Sequence, residues 1–474
     1  PITSACPNHM NPALSYVTPS GVGKIDLFAG ITPVSMGGDS IAGSISAESP
    51  RPSFAVYGQT QTNGEITGFY RSNGNVRGAN AYLNFATENF SAAYVGSTVK
   101  SDNYEDGKGN KVRATEYEVR NNLLKFAARS GIHTFGVNLG WQDIPYQGYP
   151  NQAMDMTSNK SFSYNLSYTG DFEWGKLDAK AYRQYVRHKM DMLSDKEAVV
   201  GNMPMDTRAA DTGYSLIANL PISEVHTVKI GNEFHRYTLD DWWPPLSSGF
   251  MAPHDFWNIK DGKRDRIAIF AELNTKATEL FSTQIGARIE RVSMNAGNVQ
   301  GYHSAADGSY YSMMMMGNVP YEDSTYKSDA DSFNAKNHKK VDYNLDLTAS
   351  ARYEPDSNSQ YDIGFSRKTR SPNLHERYTW SNEAMMAGLM NNWFGDLNSY
   401  VGNLDLKPEV ANTLKVSADW HDGERVNWGL KVSPFYTYVF DYINAVPNVI
   451  NNPYNMSMIG RKSLTFANHD AHLY

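Results

Sequence analysis

Leu430-Lys431-Val432-Ser433-Pro434-Phe435-Tyr436-Thr437-Tyr438-Val439-Phe440-Asp441-Tyr442 is the stretch on which the fold turns. Leu430, Val432, Tyr436, Tyr438, Phe440 and Tyr442 fall on one face, and Lys431, Ser433, Thr437 and Asp441 on the other. Phe435 and Val439 interrupt the polar face. Side chains of a strand alternate between its two faces, so apolar residues at every second position over this length read as β-structure. The same rhythm runs, shorter, through 54–60, 79–86, 90–96, 228–234 and 266–273.

The connections are of two kinds. Those at 357–358 and 421–423 are short turns, whereas 293–340 and 379–403 are long and polar. Short turns at one end and long loops at the other are the pattern of a transmembrane antiparallel β-barrel. A soluble sandwich spaces its turns more evenly. The first 50 residues differ: they are rich in small and turn residues and are closed by Gly37-Gly38, Gly43 and Pro50-Arg51-Pro52. The expected division is a separate N-terminal unit over 1–50 and a barrel over 51–474.

Composition agrees. The chain carries 43 basic and 50 acidic residues, a net charge of -7. That excludes the clustered basic excess of a nucleic-acid binder. Mean hydropathy is -0.53, yet 30 Tyr, 20 Phe and 9 Trp make the chain 12% aromatic. No apolar run is long enough for a transmembrane helix. A membrane barrel reconciles these facts, because alternation hides the apolar face from a window average. Pro1-Ile2-Thr3-Ser4 has no basic or apolar leader pattern, and 464–474 shows no clear closing strand. Both ends are expected to be truncated relative to the natural protein, and the barrel to be incomplete.

Two short motifs carry the chemistry. Cys6-Pro7-Asn8-His9-Met10 is a CxxxM, and Cys6 is the chain's one cysteine. His188-Lys189-Met190 is an HxM. Together they offer a thiolate, two thioethers and an imidazole, a soft set suited to Cu(I). Cys6 and Met10, four apart, can share one side of a turn. His188 and Met190, two apart on a strand, face the same way and Lys189 faces away. Met192 continues that face. Met313-Met314-Met315-Met316, in a long polar loop, reads as an auxiliary collector of Cu(I) or as an adaptable apolar patch. Met154 with Met156, Met203 with Met205, Met385-Met386 with Met390, and Met456 with Met458 repeat the theme. Trp242-Trp243-Pro244-Pro245 reads as an interface or loop anchor after a strand. His375 has no ordered nucleophile motif beside it to make a hydrolase.

Residues 22–52 resemble the end of the plug domain of TonB-dependent outer-membrane transporters. The resemblance is carried by Lys24-Ile25-Asp26-Leu27-Phe28-Ala29-Gly30, Pro33-Val34-Ser35-Met36-Gly37 and Ile41-Ala42-Gly43-Ser44-Ile45. In the barrel it is carried by Phe365-Ser366-Arg367-Lys368-Thr369-Arg370-Ser371-Pro372-Asn373-Leu374, by Glu376-Arg377-Tyr378, and by Asn403-Leu404-Asp405-Leu406-Lys407-Pro408-Glu409. The usual Gly-Pro of the plug is split here as Gly30-Ile31-Thr32-Pro33. The two metal motifs resemble the copper-binding subgroup, the OprC/NosA type.

The resemblance implies a bacterial outer-membrane protein, not an enzyme, with a 22-stranded barrel around a plug. Residues 53–474 suffice for about 14–20 strands. It further implies plug ligands Cys6 and Met10, barrel ligands His188 and Met190, and His9 passed over. It implies copper as cargo, lipid around the barrel, and a TonB complex that drives passage through a segment not present here. Two rivals stand beside it: a receptor for a siderophore or other chelate, and a barrel enzyme or passive pore.

Overall fold

A strand immersed in lipid must pair its backbone groups on both edges, and a sheet satisfies this by closing on itself. The computed structural model does so. It describes residues 5–302, 325–447 and 463–474, apart from 9, 18, 29, 197–201, 248–250, 383–389, 397 and 425, and of 20, 315–316, 319–320 and 325 the backbone only.

Near the N-terminus β1 (Lys24–Phe28) and β2 (Ser44–Glu48) form a small antiparallel sheet. The barrel then begins with β3 (Gln61–Arg71), β4 (Val76–Ala86), β5 (Phe90–Ser101), β6 (Tyr117–Ser130) and β7 (His133–Gln147). It continues through β8 (Asp155–Phe172), β9 (Gly175–Asp191), β10 (Met205–Pro221), β11 (His226–Trp243), β12 (Phe256–Lys276) and β13 (Phe281–Asn295). A two-residue pair, β14 (Met315–Met316) and β15 (Val319–Pro320), lies in the following loop. The barrel resumes with β16 (Lys340–Asp356), β17 (Ser359–Arg370), β18 (Ser399–Val401), β19 (Glu409–His421), β20 (Gly429–Val432), β21 (Phe435–Pro447) and β22 (Ser463–Leu473).

Eighteen segments, β3–β13 and β16–β22, make one closed ring in which β22 neighbours β3. The fold is thus an all-β barrel, antiparallel except where the short β18 runs parallel to β22. No helix among the described residues is long and apolar enough to cross a membrane.

Three sequence expectations are corrected. Residues 54–60 are not a strand: Gly58 sits at φ +71 in a turn closed by Gln59 N to Val56 O at 3.0 Å. The stretch from Leu430 to Tyr442 is two strands on one register against β19, parted at Ser433-Pro434. Proline has no N–H to give the ladder, and Pro434 O instead accepts from Val416 N at 3.1 Å. Residues 463–473 do form a strand, β22, paired with β21 across a register shift between Val439 and Tyr442. Asp441, within that shift, has φ 54.

Short turns join β6 to β7, β8 to β9, β12 to β13 and β16 to β17; long connections leave the opposite ends of β5, β7, β9, β11, β13 and β17. The long-loop end is the extracellular one. Outward side chains such as Leu166, Ile269, Ile289, Ile363 and Leu414 are exposed and form the lipid band. Inside, the turn at Val34–Met36 touches β11, β12, β13 and β16. Asp39 meets Arg264 at 2.7 Å and Arg266 at 3.6 Å, and Arg266 Nη2 donates to Gly38 O at 3.3 Å. The N-terminal segment is therefore held against the barrel's inner wall.

Candidate metal centre

The candidate site begins with the pairing of β8, β9 and β10. Their register sets Asn159, His188 and Thr207 in one cross-strand row and Met156, Met190 and Met205 in the next. All six are buried, because alternation turns these positions inward. Lys189, between the two proposed ligands, points outward as expected and pairs with Asp206 at 2.9 Å.

Residues 5–8, 10 and 11 enter from the N-terminal segment in turns and bends. Cys6 is fully buried, and its Sγ stands 3.0 Å from Met190 Sδ, with the thiol as donor. That is closer than the ~3.5–4.0 Å of ordinary non-bonded contact. Met10 belongs to the same buried cluster. The turn is pinned on several sides. Tyr149 Oη donates to Met10 O at 2.6 Å. Asn392 N donates to Asn8 Oδ1 at 2.6 Å. Gln142 Nε2 donates to Ser15 O at 2.8 Å. Burial pushes the Tyr149 phenol well up, with the Cys6 sulfur adding to the effect, so Oη keeps the proton it donates.

His188 is fully buried. Its Nδ1 lies 3.3 Å from Asn159 Oδ1, and its Nε2 has no hydrogen-bond partner among the described residues. Asn159 in turn donates to Gln142 Oε1 at 3.3 Å and is within 3.4 Å of the Tyr16 hydroxyl. With the amide oxygen facing Nδ1, the proton belongs on Nδ1 and the lone pair on Nε2. A buried polar atom without a partner is costly, and an imidazole fixed through one nitrogen with the other free is the form that binds metals.

The surroundings are soft. Met154, Met192, Met203, Met205 and Met390 are buried in the cluster that holds Cys6, Met10 and Met190. Above them Trp243, Phe256 and Trp380 stack in series, with centroids 4.1 and 4.9 Å apart. Trp243, read from sequence as an anchor after a strand, is instead the last residue of β11 and fully buried. Among the described residues no group of three or more His, Cys, Asp or Glu converges on a metal-sized site. Sulfur and imidazole are the donors here, not carboxylate.

Met313 and Met314 lie outside the described residues, as do His9, Met385, Met386, Met456 and Met458. Met315 and Met316 are described by backbone alone, in β14. His375 sits in a short helix, Leu374–Tyr378, whose capping box joins Asn373 and Glu376, and its ring lies 5.9 Å from Trp393. Asn159, Tyr149 and Tyr16 carry no sequence motif. Strand register brings Asn159 to the site, whereas Tyr149 comes from the β7–β8 connection and Tyr16 from the N-terminal segment.

A family of TonB dependent receptor-like β-barrels matches residues 49–465. No curated sequence matches the chain. Among solved structures it is similar to "Copper transporter OprC", at 18% identity and a TM-score of 0.76, over 99% of this chain and 66% of that one. It is similar to the hemophore receptor HasR of Serratia marcescens, at 14% identity and a TM-score of 0.68, over 95% of this chain and 66% of that one. It is also similar to the siderophore receptor PirA of Pseudomonas aeruginosa, at 15% identity and a TM-score of 0.63, over 98% of this chain and 70% of that one. The chain thus spans about two thirds of the length of these structures, and at such identities the likeness is one of fold.

Proposed function

This chain belongs to the TonB dependent receptor-like β-barrel family, outer-membrane receptors rather than enzymes, and on that premise we propose that it binds copper as Cu(I) and passes it inward. The observation that supports this reading is the buried His188 Nε2, without a hydrogen-bond partner among the described residues, on the strand face it shares with Met190, whose sulfur touches Cys6. Cys6, Met10, His188 and Met190 are the proposed ligands. The donors are soft and buried, which favours Cu(I) over harder ions.

The chain's own groups do the following in this reading. Cys6 gives up its thiol proton when metal enters and supplies the one anionic charge. Two sulfur ligands at about 2.3 Å from a tetrahedral ion stand ~3.8 Å apart, so Cys6 and Met190 separate by ~0.8 Å. Asn159 keeps the imidazole in its orientation. The ligands come from both the N-terminal segment and the barrel wall, so release follows when that segment moves. The force for that movement is assigned to a TonB complex, by family membership.

The rival reading is a chelate receptor, since HasR and PirA are named for heme-carrier and siderophore binding. Metal analysis of the purified protein, with and without Cys6→Ala, separates the two. One copper per chain, lost in the variant, is the expected result. A wild-type protein without stoichiometric copper after loading supports the chelate reading instead. A passive pore is tested by conductance in planar bilayers, where a porin-like open current would support it against both receptor readings.

A further inference from the structure

The outer face of β8, β9 and β10 carries an arrangement of charge that the copper reading does not use. Lys160 on β8, Arg187 on β9 and Arg208 on β10 stand directly opposite one another in register. All three are exposed and outward-facing. Like charges in direct cross-strand contact destabilise a sheet. Acids stand at both ends of the row, but they do not relieve its middle. Asp143, opposite Lys160, is 3.4 Å from Arg120 on its other side. Asp240, opposite Arg208, is 3.3 Å from that guanidinium. Lys160 and Arg187 have no acidic partner among the described residues, and Arg187 is flanked by a base on each side.

The row's height on the barrel is telling. One outward position nearer the periplasm on β8 and β9 come Phe162 and Tyr185, both exposed, and below them the apolar band. Aromatic girdles mark the edge of the hydrocarbon, so the basic row lies where lipid headgroups begin. It also borders a groove of about 440 Å³ whose lining includes Tyr185, Arg187, Arg208 and Ala210, and, farther from Lys160, Asp240 and Asp261. The groove's extracellular rim carries Arg187 and Arg208 on the β9–β10 side and Asp240 and Asp261 on the far side, so its basic part is the end nearest Lys160.

We propose that this face binds a phosphorylated lipid of the outer leaflet, its phosphate held between Lys160, Arg187 and Arg208 and an acyl chain laid in the groove beside Tyr185 and Ala210. A phosphate placed between three bases converts their repulsion into attraction and accepts charge-assisted hydrogen bonds from the guanidiniums. The lipid source follows from position: a soluble anion has no reason to sit at the aromatic girdle, whereas a lipid phosphate is held at that depth by its own chains. The inference depends on the outer-membrane location and not on copper.

The test uses the full chain in a neutral detergent, titrated with lipid A, with lipid A stripped of its phosphates, and with inorganic phosphate, and followed by thermal melting. Wild type gains melting temperature with lipid A and with neither of the other two. The double variant Lys160→Ser, Arg187→Ser needs at least tenfold more lipid A for the same shift. In detergent alone it melts no lower than wild type, because the repulsion is gone. Arg187→Gln gives a smaller loss of the same sign and stands in if the double variant does not fold. Arg352→Ser, near the periplasmic turns and paired with Asp362 at 2.7 Å, responds like wild type. An equal response of wild type to the dephosphorylated lipid, an inorganic phosphate effect of the same size, no response of wild type to lipid A, or an unchanged double variant each overturns the proposal.

Discussion

His188 shows how one residue is prepared for a ligand by another. Asn159 occupies Nδ1 at 3.3 Å, and Nε2 is buried with no partner among the described residues. Loss of such an outer partner typically costs 10–100-fold in metal affinity. Asn159→Ala is therefore expected to weaken Cu(I) binding by roughly that factor, read by competition with a chromophoric Cu(I) chelator. Cys6→Ala is expected to lose more, because it removes the only anion in the set. His188→Ala and Met190→Ala each weaken binding, whereas Lys189→Ala, whose side chain is 59% exposed, leaves it unchanged. Equal losses at 188, 189 and 190 would contradict the strand face on which the assignment depends. The proposed ligands were legible in the sequence because each pair is local: four residues along a turn and two along a strand. Asn159 was not legible, nor was Tyr149. Each reaches the site through pairing or loop contacts with residues at least 29 positions away, and no local spacing records that.

At the scale of elements, β8, β9 and β10 act as a unit. Met156, Met190 and Met205 form one row, and Met154, Met192 and Met203 are the buried methionines one inward position nearer the extracellular ends. From sequence these were scattered pairs, and the hairpin register is what stacks them. Thioether rows leading outward from the ligands suit a soft ion on its way in. Met156→Leu with Met205→Leu keeps volume, so stability should change by less than about 1.5 kcal/mol per site. Uptake at limiting copper should fall, while the copper bound by the purified protein stays at one equivalent. Replacing Met313 to Met316 with Ser should act the same way and more weakly, since neutral thioethers bring no anionic charge to a captured ion. Unchanged uptake in both variants would leave the methionines a packing role only. The strands themselves were legible wherever alternation ran unbroken, as in β4, β5, β11 and β12. Misreadings came where a backbone feature outvoted the pattern. Gly58 turns the chain at φ +71. Pro434 parts one strand into two. In β22 the polar run Asn468-His469-Asp470 concealed a strand that pairs with β21.

For the whole molecule, the question is how the N-terminal segment stays seated and what it takes to move it. Asp39 is the strongest tether among the described residues. Its carboxylate meets Arg264 at 2.7 Å and Arg266 at 3.6 Å, and it accepts from Ser371 N at 3.0 Å. Burial alone would raise the Asp39 pKa, but the guanidiniums of Arg264 and Arg266, with the Ser371 N–H, outweigh it and hold the group below the ordinary carboxylate range. The sign of the pH dependence follows. An acid whose folded pKa is depressed contributes stability that is fully present above its unfolded value, about 3.9, and that is lost as pH falls through the folded value. Residues 33–40 should therefore stay protected from hydrogen exchange across neutral and mildly acidic pH and lose protection only below about pH 4. Asp39→Asn removes one partner of a buried pair, a change worth about 3–5 kcal/mol, and should bring that loss of protection to neutral pH. The barrel's own protection should be untouched in the same variant, since β12 keeps its ladders to β11 and β13. Arg266 also keeps Glu290 at 2.9 Å, which limits the damage on the barrel side. If exchange in residues 33–40 is the same in both proteins at pH 7, the segment is held by packing around Val34 and not by charge. A pulling force would then have to break an apolar contact rather than an ion pair.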